Sequence, residues 1–233
     1  MAEYAQGRRL HADRKMIRQQ NQSIAAELRP LESPHALQLT ALRGAYPLDA
    51  ARASIGVPPL SGRASVATFL QCYATRVCAV EFAVIQQAFT HTVGGHSREL
   101  IALDQSLVKL AELRELTGAS ALVGRLQLEN LRPLRDERLV QRYWDAVEKG
   151  ATCGHHWVVH GMTLALYSVP LRQGLLDFGR ETLRDLAAQS AKRLALPEAE
   201  LAEPLAAAVE GLPNGIKTAL SGGGWVWLGV NAG

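Results

Sequence analysis

The stretch that decides the fold runs Ser65-Val-Ala-Thr-Phe69-Leu70-Gln-Cys-Tyr73-Ala-Thr-Arg-Val77-Cys-Ala-Val80-Glu-Phe-Ala-Val84-Ile-Gln-Gln-Ala88. Val66, Phe69, Leu70, Tyr73, Val77, Val80, Val84 and Ala88 recur every three or four residues, giving one apolar face over about six helical turns. The Gly94-Gly95 pair ends this helix. Downstream, a second helix begins near Ser97 and aligns Leu100, Leu103, Leu107, Leu110 and Leu113. Thr117-Gly118 is a candidate interruption, and a third helix carries Leu122, Leu126 and Leu128 before Pro133. Residues 134–149 are amphipathic through Leu139, Tyr143, Trp144 and Val147. A long helical pattern then runs from His155 to about Leu196, with Pro170 kinking or dividing it, because proline removes a donor and clashes with the preceding turn. Pro197 opens a further helix.

Upstream, residues 36–63 hold a short apolar piece (Leu37, Leu39, Leu42) and a turn-rich stretch with Pro47, Gly56, Pro58, Pro59 and Gly62. Residues 1–35 read as a polar, basic and flexible tail, with Arg8, Arg9, Arg14, Lys15, Arg18 and Arg29. The ending Ser221-Gly-Gly-Gly-Trp-Val-Trp reads as irregular. Alternating strand patterns are absent, and Ala and Leu abound. The expectation is an all-α, single-domain helical bundle over residues 36–233 behind the tail.

Composition narrows the function. Of 233 residues, 48% are hydrophobic and 20% charged, enough for a core and too apolar for disorder. The net charge of +3 is too small to argue for nucleic acid. The leader lacks an apolar signal core, and no stretch has 18 uninterrupted apolar residues, so no membrane association is expected. Cys72, Cys78 and Cys153 form no CxxC pair, which fits reduced thiols in a cytoplasmic protein.

Catalytic signatures are missing. The sequence has no Gly-x-Ser-x-Gly elbow, no Walker lysine and no Rossmann fingerprint, and Gly222, Gly223 and Gly224 are followed by no Lys-Ser/Thr. The expectation is a protein without catalytic residues that works by binding others. One cluster stands apart: Cys153, His155, His156 and His160. On a helix His156 and His160 share a face at a spacing suited to Zn²⁺ or Ni²⁺, with Cys153 joining only if the helix starts after it. Equally, His155 and His156 could start a helix and His160 pack beneath Trp157.

Several separated segments fall in a recognisable order. They are Leu37-Gln38-Leu39 leading into Tyr46-Pro47-Leu48-Asp49 and Ser54-Ile55-Gly56, then Phe69-Leu70, and Leu100-x-x-Leu103-Asp104. Next come Arg114-Glu115 followed by Ala119-Ser120-x-x-x-Gly124-Arg125, then Gly154-His155-x-x-Val158-Val159-x-Gly161, and Leu171-Arg172 with Arg180 eight residues on. Together they resemble the family of the urease accessory protein UreF. The family's opening is Phe-Pro-Thr-Gly-Gly where this chain has Tyr46-Pro47-Leu48-Asp49-Ala50, and its Gly-Pro-Leu-Gly-Gln after the second arginine is replaced by Thr182-Leu-Arg-Asp-Leu186.

The resemblance implies an all-helical, cytoplasmic homodimer. Such a protein joins a UreD/UreH-like protein and a UreG-like GTPase and assists Ni²⁺ delivery into apo-urease, with no stably bound cofactor of its own. It places partner contacts at His155, Arg172 and Arg180, and close helix packing at Ser120 and Gly124 within the structural motif Arg114, Glu115, Ala119, Ser120, Gly124 and Gly161. The alternatives are a UreF-like paralogue serving another metalloenzyme and a helical metal-dependent enzyme using His156 and His160.

Overall fold

The computed structural model describes residues 36, 39, 40, 46–134 and 137–223. The basic tail, the Leu37-Gln38 and Leu42 positions and the Trp225-Val-Trp227 ending lie outside the described residues. The chain divides into two units, Met1–Ser33 and Pro34–Gly233, and every described residue belongs to the second.

Among the described residues the regular structure is helical, without strands. The helices are α1 (Leu48–Ala53), α2 (Arg63–Arg76), α3 (Phe82–Val93), α4 (Ser97–Leu107), α5 (Thr117–Glu129), α6 (Arg138–Glu148), α7 (His156–Leu166), α8 (Leu171–Leu194), α9 (Ala202–Glu210) and α10 (Leu212–Thr218). The fold is the all-α bundle that the periodicities predict. Short 3₁₀ turns at Ala111–Leu116 and Glu198–Leu201 lead into α5 and α9.

Helix α7 is the axis of the bundle. Every residue from His156 to Leu164 is buried, as in a helix apolar on all sides. It packs most extensively against α3 and then α5. Gly161 permits the α3 crossing: a Cβ there would stand 2.5 Å from the Ile85 carbonyl oxygen and 2.7 Å from the Ala88 Cβ.

The deciding stretch is a continuous helical run with one irregularity. A π-helical turn, Val77–Glu81, joins α2 to α3. Up to its first residue Val66, Phe69, Leu70, Tyr73 and Val77 face the core; after it Phe82, Val84, Ile85 and Ala88 do. Within the turn Val80, expected inside, is only half-buried, while Glu81 is fully buried; Val84 and Ala88 lie inside as expected. By length and composition the run Arg63–Val93 could cross a membrane, but 61% of its apolar window is buried, as in a core helix.

Three boundaries differ from the sequence expectation. Pro170 divides the long pattern outright: α7 ends at Leu166, and α8 starts at Leu171 with Pro170 as its N-cap. The second helix stops at Leu107, leaving Leu110 and Leu113 to a turn and a 3₁₀ segment. In α5 the leucine pattern is misleading, because Leu122 and Leu126 are 66% and 60% exposed and the inward face is Ser120, Val123, Gly124, Gln127 and Leu128. Small residues bring α5 close to α7 and turn Leu122 and Leu126 outward.

Candidate functional site

Several of the segments that carry the resemblance meet at the first turn of α7. Asp104, at the inner face of α4, reaches the loop before α7 and receives the Thr152 hydroxyl, the Gly154 amide at 2.8 Å and the His155 amide at 2.9 Å. A buried carboxylate is tolerable there because three donors surround it, two of them amides beside a helix N-terminus. Gly154 adopts φ +76, a left-handed conformation that favours glycine. Gly124 of α5 lies directly against this loop. A Cβ on it would stand 1.9 Å from the Gly154 oxygen and 2.6 Å from the His156 nitrogen. Gly124, Gly154 and Asp104 therefore have one shared purpose, to fix the entry into α7.

His156, the first residue of α7, opens a second buried network. Its Nδ1 lies 2.8 Å from the Ser120 hydroxyl and its Nε2 lies 2.5 Å from the Tyr46 hydroxyl. That phenol also receives the Trp157 indole N–H at 3.0 Å and faces Glu81 at 3.3 Å. The phenol has one proton for two acceptors, and assigning it to the shorter contact makes Nε2 the acceptor and Nδ1 the donor to Ser120. Glu81 also accepts from Tyr73 at 3.1 Å and from Arg76 at 2.6 Å. In a regular helix residues five apart point about 140° away from each other; the π turn lets Arg76 and Glu81 meet. Burial pushes the Glu81 carboxyl above its usual range, while Arg76 and the hydrogen bond from Tyr73 act to keep it charged.

Burial also holds both histidines neutral. His156 is pushed well below the usual imidazole range, first by burial and then by the neighbouring histidines and Arg76. His155 is lowered by burial, with Asp104 opposing. His155 is only 1% exposed, and among the described residues neither of its ring nitrogens has a hydrogen-bond partner. In the isolated chain the His155 side chain is therefore enclosed. Its backbone amide, held by Asp104, does the structural work.

The candidate metal ligands fit packing better than coordination. His156 uses both ring nitrogens, and a metal would have to displace Tyr46 or Ser120. His160 is fully buried with its ring 5.1 Å from Phe178. Cys153 is a half-buried thiol. Among the described residues no group of three or more His, Cys, Asp or Glu side chains could hold a metal ion.

The remaining motif residues lie on the outside. Arg114 and Glu115 are exposed on the 3₁₀ turn before α5, and Ala119 is half-buried. Arg172 and Arg180 are both exposed on α8. Among the described residues neither arginine makes an ion pair, and Arg184, not Arg180, pairs with Glu181.

Sequence reasoning missed Tyr46, Tyr73, Arg76 and Glu81 as a unit. A usable signal existed: Glu81 is the one acid in an otherwise apolar run, five residues after an arginine.

The comparisons complete the picture. The model of the UreF family matches residues 60–197, more than half of the chain. No curated protein sequence matches it.

Proposed function

The chain belongs to the UreF family, whose members are urease accessory proteins and not enzymes, and from that premise we propose that it is a scaffold for nickel insertion into apo-urease. In this reading it joins a UreD/UreH-like protein to a UreG-like GTPase in the cytoplasm, and Ni²⁺ passes through the assembly as cargo. The observation that carries it is the exposure of Arg172 and Arg180 on one helix, inside the residues that the family model matches. Arginine suits such a surface because its planar fork pairs with carboxylates while its stem covers apolar area. The outward Leu122 and Leu126 of α5 supply apolar surface for a homodimer seam, in keeping with large apolar groups exposed side by side.

A second reading rests on one feature: Thr182-Leu-Arg-Asp-Leu186 stands where the family pattern has Gly-Pro-Leu-Gly-Gln. A UreF-fold paralogue serving another metalloenzyme would differ there. The test is size-exclusion chromatography with light scattering on the purified chain mixed with UreD-like and UreG-like proteins. The scaffold reading expects one complex containing all three. A chain that elutes alone from the mixture would overturn it in favour of the paralogue.

A further inference from the structure

The turn between α3 and α4 carries a pair of histidines that neither the core nor the arginine face uses. His91 lies in the last turn of α3, and His96 is the N-cap residue of α4. Gly94 and Gly95 connect them, Gly95 at φ +69. The His96 amide donates to the His91 carbonyl at 2.8 Å, which ties the two backbones together across the turn. Their rings stand 6.3 Å apart between centroids. The His96 ring lies back over Gly94, where a Cβ would come within 2.7 Å of Cε1 and 2.8 Å of Nδ1. The missing side chain at position 94 leaves the room that lets one imidazole turn toward the other.

Both rings are chemically available. Among the described residues neither takes part in a hydrogen bond. His96 is exposed and His91 half-buried. Burial lowers the His91 pKa, with Glu99 opposing and His96 adding to the fall, so the neutral, ligating form of His91 persists to lower pH. Glu99 is close enough to act on His91 electrostatically but does not complete a three-ligand set with the pair.

We propose that His91 and His96 form an open, two-imidazole site for a borderline divalent transition-metal ion such as Ni²⁺ or Zn²⁺. Imidazole nitrogen suits these ions, at bond lengths of about 2.0–2.1 Å for zinc, and the tied backbone leaves only side-chain rotation to bring one nitrogen from each ring to a shared ion. Water or a partner's side chains fill the remaining positions, so the site binds exchangeably. The exposed Val93, 68% accessible, stands beside it at the end of α3.

The test uses the full chain without a histidine tag, titrated with NiCl₂ by calorimetry near neutral pH, and repeated with ZnCl₂. Wild-type protein is expected to bind one ion per chain, and the His91→Ala, His96→Ala double variant to lose that binding. Gly94→Ala, which displaces the His96 ring without removing a ligand, should weaken it. His96→Ala alone, at an exposed position, keeps the test valid should the double variant fold poorly. Absence of binding in the wild-type chain, or unchanged binding in the histidine variants, would overturn the proposal. The measurement needs no partner protein, so its outcome is independent of the scaffold reading.

Discussion

The start of α7 and the outer face of α8 both carry residues of the family pattern, yet they differ in almost every physical respect. At the start of α7 the motif residues are buried and joined through Asp104, Ser120, His156, Tyr46 and Glu81. On α8, Arg172 and Arg180 face solvent. The contrast shows that a family pattern mixes two kinds of constraint. One builds the helix crossing, and the other is left over once the fold is satisfied.

If the α7 region is structural, substitutions there should cost stability first. The largest loss is expected from Glu81→Ala. It strands the Arg76 guanidinium, only 7% exposed, without its carboxylate, at about 3–5 kcal/mol, and chemical denaturation should show a chain that is unfolded or barely folded. Gly124→Ala follows. Its Cβ meets backbone atoms, which cannot rotate away, so α5 and α7 must separate at a cost of about 3 kcal/mol. A variant as stable as wild type would mean that the crossing is looser than described.

Tyr46→Phe is a finer probe, because it restores the residue of the family pattern. It removes the phenol oxygen shared by Trp157, His156 and Glu81, and should lower stability by about 1–2 kcal/mol. A neutral result would show that water takes over the hydroxyl's partners.

The same region should give the fold a characteristic pH dependence. His155 and His156 both have folded pKa values below the ordinary 6.5. Below that pH the unfolded chain takes up protons that the folded chain refuses. The stability present above pH 6.5 is therefore lost as pH falls toward the folded values, by up to about 1.4 kcal/mol per pH unit for each histidine. Denaturation midpoints that stay flat between neutrality and mild acid would contradict the burial of these rings.

The sequence was most legible where periodicity and burial coincide. Val66, Phe69, Leu70, Tyr73 and Val77 announce α2 and its inner face, and all are buried. Legibility failed at Val80 and Glu81, because a π turn puts Glu81 inside locally and leaves no mark in an apolar-polar pattern. It failed again at Leu122 and Leu126, where leucine at helical spacing points outward because Ser120 and Gly124 occupy the tight crossing. The polar network was hidden for another reason. Tyr46, Glu81 and His156 are far apart in sequence, and each alone reads as an ordinary residue in a loop or helix. Asp104 was visible as a motif position, but its bonds to Gly154 and His155 span 50 residues or more.

The most direct test of the account compares binding and folding in one variant. Arg172→Ala with Arg180→Ala removes two solvent-facing side chains that make no ion pair among the described residues, so the melting temperature and helical circular dichroism should match wild type. Capture of a UreD-like or UreG-like partner should weaken by about 1–3 kcal/mol, measured by calorimetry on purified proteins. Partner affinity equal to wild type, in a variant that folds equally well, would contradict the claim that function sits on the α8 face.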